Sequence, residues 1–142
     1  MLLGINIDKV RAERFAEKPQ NVTVKNSVQI VDVQESKFQF SKDKIALKFS
    51  FVFTVNYEPK LAIIELGGTV SYLTEEGSDI IKEFRKAKRV KSDKVSAQIM
   101  NAILNKCNIK ALTLAQDINL PSPIDLPKVK MKSTTSAASY IG

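Results

Sequence analysis

The chain of 142 residues contains no histidine, no tryptophan and a single cysteine, Cys107. Without histidine the commonest general base and metal ligand is missing. One cysteine builds neither a thiolate zinc site nor an internal disulfide, and it suits a reducing compartment, so the expected location is the cytoplasm. Cys107 falls on an apolar stripe of a predicted helix, where a small buried residue is favoured over a nucleophile. Glycine is scarce, with five residues in all, and the pair Gly67-Gly68 lacks the spacing and following lysine of a phosphate cradle. Acidic residues are scattered: Glu75-Glu76 sits in a predicted loop, while Asp117 and Asp125 bracket a proline-rich segment as turn formers. No apolar run reaches bilayer length, so no membrane insertion is expected. The start, Met1 to Asp8, has no basic region ahead of a long apolar core, so no secretion signal is expected either. These absences predict no enzyme, no metal and no cofactor.

What remains is an ordinary globular composition, 44% hydrophobic and 26% charged, with a formal net charge of +7. The length suits one domain with a real core, taken here as residues 1–131, followed by a small, polar tail over 132–142 expected to be disordered. Basic residues concentrate between Lys82 and Lys94, where Lys82, Arg85, Lys86, Lys88, Arg89, Lys91 and Lys94 lie close together. Such a run serves either as a patch for a polyanion or as the solvated face of a helix, and the solvated face is favoured. A basic nucleic-acid-binding or adaptor module is the alternative function that this charge keeps open.

The clearest local signal runs from Ala46 to Leu73. Leu47, Phe49, Phe51, Phe53, Val55 and Tyr57 alternate with Lys48, Ser50, Thr54 and Asn56, the period of a strand with one buried face. Glu58-Pro59-Lys60 turns the chain, and Leu61 to Leu73 returns as a second strand with a bulge or bend expected at Gly67-Gly68. From Val22 to Val33 the apolar parity switches at Ile30-Val31, which predicts a strand bulged there. Phe38 and Phe40 continue as a short strand or connection, and Ile5 to Gln20 is either an edge strand or a short helix. The expected class is α+β: an antiparallel four-stranded meander sheet covered on one face by a long helix.

Ser78-Asp79 opens a short amphipathic helix through Ile80, Ile81, Phe84 and Ala87, and Ser92-Asp93 caps a longer one to about Ala115. Ala97, Met100, Leu104, Cys107, Ala111 and Leu114 form one apolar stripe on the long helix, and Val95, Ile99, Ala102 and Ile109 form another. A helix covering one sheet needs a single stripe, so two stripes predict a second subunit. Ala97, Met100, Leu104, Cys107 and Ala111 are the candidate interface. Beyond it Pro121, Pro123 and Pro127 hold an apolar strap extended.

The order of strands, short helix, long helix and proline strap resembles the SecB-like chaperone family of archaeal and bacterial proteins. The likeness is carried by Phe49 to Leu73 (FSFVFTVNYEPKLAIIELGGTVSYL), by Asn101 and Ile103-Leu104, and by Ala111 to Val129 (ALTLAQDINLPSPIDLPKV), and extends from about Ile5 to Met131. It implies a SecB-like fold and an ATP-independent holdase assembled as a tetramer, a dimer of dimers. Unfolded or preprotein polypeptide clients would lie in apolar grooves, in protein export or in toxin–antitoxin control. Phe38, Phe40, Ile118, Leu120, Ile124 and Leu126 are the candidate groove residues, although all six would serve core packing equally well. SecB itself is acidic where it docks on the translocation motor. This chain is basic, so motor docking gains no support from the likeness.

Overall fold

Strict alternation in the central strands builds the floor of the molecule. The computed structural model describes residues 1–17, 21–36, 44–90 and 93–124. They form strands β1 (Leu2–Arg14), β2 (Thr23–Glu35), β3 (Ile45–Glu58) and β4 (Ala62–Thr74), then helices α1 (Gly77–Ala87) and α2 (Asp93–Asp117). On β3 the side chains of Leu47, Phe49, Phe51, Phe53, Val55 and Tyr57 are no more than 1% exposed, and their polar alternates lie on the other face. Each aromatic taken fully out of water contributes about 1.5–3 kcal/mol, so this row anchors the fold.

All strand pairs are antiparallel, in the order β1-β4-β3-β2. Strands β2, β3 and β4 follow one another as a meander, while β1 lies beside β4 at the far edge. The first segment, open between strand and helix in the sequence, is therefore an edge strand. The bulge expected at Ile30-Val31 is present: Ile30 pairs with Phe51 and Asp32 with Ser50, which leaves Val31 as the inserted residue.

The irregularity expected at Gly67-Gly68 lies across the ladder instead. Strand β4 pairs with β3 without a break, and the register shift falls on β1, between Ile7 opposite Gly68 and Lys9 opposite Gly67. A Cβ on Gly68 would stand 2.0 Å from the Asn6 carbonyl oxygen. The glycine lets the bulged β1 backbone come close, so it serves its neighbour's bulge and not its own.

The helices cover the apolar face. Helix α1 starts one residue ahead of the expected Ser78 and seats its first turn on β3, since a Cβ on Gly77 would lie 3.0 Å from the Ile45 Cβ. Ile80 and Phe84 are its buried residues at helical spacing, whereas Ala87 is exposed. Helix α2 buries Val95, Ile99, Ile103, Cys107, Ala111 and Ala115, a line of successive steps of four. The Tyr72 hydroxyl donates to Gln98 Oε1 and ties its first turns to β4.

That line corrects the two-stripe reading. In a helix of 3.6 residues per turn, each step of four advances about 40° around the axis, so five steps wind about 200°. Val95 and Ile99, assigned to one stripe, and Cys107 and Ala111, assigned to the other, belong to a single buried band that winds round the helix. The second subunit is not needed to explain it.

Candidate functional site

After α2 the chain turns at Asn119, which takes φ 56°, and the Leu120 N–H donates to the Ala115 carbonyl at 2.8 Å. The strap then runs across the open end of the sheet. Proline carbonyls accept where proline nitrogens cannot donate: the Tyr57 hydroxyl donates to Pro121 O at 2.7 Å, and Asn26 Nδ2 donates to Pro123 O at 2.9 Å. The Arg14 guanidinium donates to the carbonyls of Ile118 and Asn119 at 3.4 and 3.2 Å. Leu120 is part of the core, Ile118 packs half-buried against it, and Ile124 is half-buried. Three of the candidate groove residues thus sit on a fastened strap, and Leu120 faces inward. Phe38, Phe40 and Leu126 lie outside the described residues, as does the tail over 132–142.

The interface candidates separate in the same way. Cys107 and Ala111 are fully buried in the chain's own core, so they form no outward surface. Burial pushes the Cys107 thiol up to about 11, far from a reactive thiolate. Ala97 and Leu104 are exposed, and Met100 is half-buried against the core. Further along the same outer row, Asn108 keeps a buried Oδ1 with no hydrogen-bond partner among the described residues.

A concavity lies where the ends of the two helices meet β2. Its floor is Val28, Ile30 and the bulged Val31, its walls are Phe84 of α1 and Ser96 and Met100 of α2, and its rim is Lys88, Arg89 and Val90. It encloses about 430 Å³. Strand β2 is the sheet edge here and has no strand beyond it among the described residues. Val31 is 48% exposed although the flanking Ile30 packs on the core. At the α1 terminus Lys88 takes φ 57°, and its N–H donates to the Phe84 carbonyl at 2.8 Å. Its ammonium lies 6.0 Å from the Phe84 ring centroid, at the reach of a cation–π contact.

Sequence reasoning did not assemble this groove, although two of its signals were visible: the parity switch at Ile30-Val31 and the basic run after Phe84. Met100 was visible too, but as an interface residue. A second concavity of about 390 Å³ lies at the opposite end of the sheet, beside Phe15, Tyr57, Lys60 and Ile63. No group of three or more histidine, cysteine, aspartate or glutamate residues is placed to hold a metal ion among the described residues. No helix there is long and apolar enough to cross a membrane. The groove offers apolar anchors, a strand edge and two cations.

No protein-family model and no curated protein matches the sequence. Among solved structures the chain is similar to the Mycobacterium tuberculosis SecB-like chaperone Rv1957, in complex with a ChAD peptide from the Rv1956 HigA1 antitoxin. The two are 13% identical, with 94% of this chain and 92% of that chain covered and a TM-score of 0.49.

Proposed function

We propose that this protein is an ATP-independent holdase that takes extended segments of non-native polypeptide into the groove along β2. The observation that carries the reading is an apolar concavity of about 430 Å³ opening beside an edge strand. An extended segment laid there gains main-chain hydrogen bonds from the strand edge, and every second side chain reaches the floor. Each anchor buried against Val28, Ile30, Phe84 or Met100 adds about 1.5–3 kcal/mol before ordering costs, so two or three anchors give reversible capture. Methionine on the wall adapts to different side chains, which suits clients of many sequences.

Assembly into a tetramer, as a dimer of dimers, would place several such grooves on one particle and raise avidity without a new contact. With Cys107 and Ala111 in the core and Met100 in the groove wall, the outer row of α2 offers Ala97 and Leu104 to that interface. Preproteins in export, or the antitoxin of a toxin–antitoxin pair, are client classes for the same activity, carried out in the cytoplasm.

The test is suppression of aggregation of an unfolding model protein without nucleotide. The wild-type chain is expected to suppress it, and Val28→Asp to lose most of that effect while keeping the far-ultraviolet circular dichroism of the parent. Absence of suppression by the wild type at equimolar ratio overturns the holdase reading. A salt-sensitive shift of RNA in its place would favour the basic-module alternative.

A further inference from the structure

We propose that the preferred occupant of the β2 groove is an extended segment whose apolar anchors are flanked by aspartate or glutamate. The proposal rests on the polypeptide-binding reading above and adds the chemistry of the client. Among the described residues Lys88 and Arg89 are the charged ones lining the groove, and no carboxylate lines it. Within the run from Lys82 to Lys94 the acidic residues are only Glu83 and Asp93, against seven basic ones, in a chain of net charge +7.

The helix dipole accounts for part of this charge. Arg85 and Lys86 occupy the last turn of α1, where cations complement the carboxyl end. Arg89 lies past that turn, so the dipole leaves it unexplained. Lys88 is placed against local preference: at φ 57° it holds the left-handed position where helices commonly end in glycine. A side chain kept at a strained position, with its ammonium near the Phe84 face at the groove, points to a role beyond ending the helix.

The occupant is short and foreign to this chain. The bulge at Val31 interrupts regular pairing on β2, and the strap is tied to the strand at Asn26, which leaves the stretch around Val28 to Ile30 for a partner. Among the chain's own segments outside the described residues, 125–142 carries Lys128, Lys130 and Lys132 against the one carboxylate of Asp125, and 37–43 carries Lys37 and Lys42 against Asp43. Their charge has the same sign as the rim, so they are a poor fit there.

The experiment uses the full chain and a pair of short fluorescent peptides with identical leucine and phenylalanine anchors, one with Asp/Glu flanks and one with Lys/Arg flanks. Anisotropy is expected to show the acidic peptide bound about tenfold more tightly at low ionic strength, with the gap closing in high salt. The double variant Lys88→Glu/Arg89→Glu should remove or invert the preference. Lys106→Glu/Lys110→Glu, which changes the net charge equally on exposed parts of α2, should retain most of it. Lys88→Gly should keep or raise the melting temperature while weakening the acidic peptide, a split that a purely structural lysine would not produce. Equal binding of the two peptides overturns the acidic preference and leaves the polypeptide reading standing. Equal losses in the two double variants also overturn it, because the preference would then reflect overall charge and not the rim. Failure of both peptides to bind, together with no suppression of aggregation, takes down the underlying reading itself.

Discussion

Gly68 shows how one residue is fixed by another strand. The Asn6 carbonyl would meet any Cβ at 2.0 Å, a clash with backbone that no rotamer relieves. Gly68→Ala should cost at least about 1–3 kcal/mol, read as a lower urea midpoint with an unchanged slope. Gly4, with nothing within 4 Å of its Cβ position, supplies the neutral control. Cys107 and Tyr57 make the alkaline limb of stability predictable. Burial pushes the Cys107 thiol up to about 11 and the Tyr57 phenol up to about 12, from ordinary values of 9.0 and 10.0. Both folded values lie above the unfolded ones, so between them the native state binds more protons and stability falls as pH rises. The contribution is whole below pH ~9 and is lost progressively through pH ~9–12. Urea midpoints should therefore drop steeply between pH ~9 and ~12, and Cys107→Ala should flatten part of that drop.

At the scale of elements, α2 decides what covers what. Its buried band advances by steps of four, so the side that meets the sheet rotates along the helix. Adjacent residues on α2 should then respond very differently. Ile103→Asp places a charge at a position with 0% exposure and should unfold the chain, whereas Leu104→Asp, at 36% exposure, should leave the monomer folded. Circular dichroism and native mass separate the two effects. If Leu104 serves a subunit interface, its variant keeps the helical signal while the particle becomes smaller.

On the scale of the whole molecule, strand order sets the functional geometry. Because β1 pairs with β4, the consecutive strands β1 and β2 end at opposite edges, and each exposes a different surface. The β1 edge presents Leu2, Leu3 and Val10, while the β2 edge presents the groove. The strap closes the end of the sheet that the helices leave open, through Tyr57, Asn26 and Arg14. The two edges therefore offer different chemistry, exposed aliphatic side chains on β1 and an apolar groove with a basic rim on β2.

The sequence by itself determined the elements whose signals are local. The period of two in β3, the turn at Pro59, the parity switch at Ile30-Val31 and the proline strap each depend on neighbours a few residues away. Each appears in the structure where the residues place it, the strap as far as Ile124, where the described residues end. What the sequence left undecided depends on partners far along the chain. The bulge opposite Gly67-Gly68 belongs to β1, some sixty residues earlier, and no periodicity within β4 reports it. The sheet face of α2 depends on its crossing geometry, so a fixed-face reading divided one winding band into two stripes and sent Cys107 and Ala111 outward. The groove is the furthest from local reading, since Val28, Phe84, Arg89 and Met100 meet only where α1 and α2 come together over β2. Secondary structure is set by contacts the backbone makes with itself nearby, whereas a surface site is set by what the packed layers fail to cover.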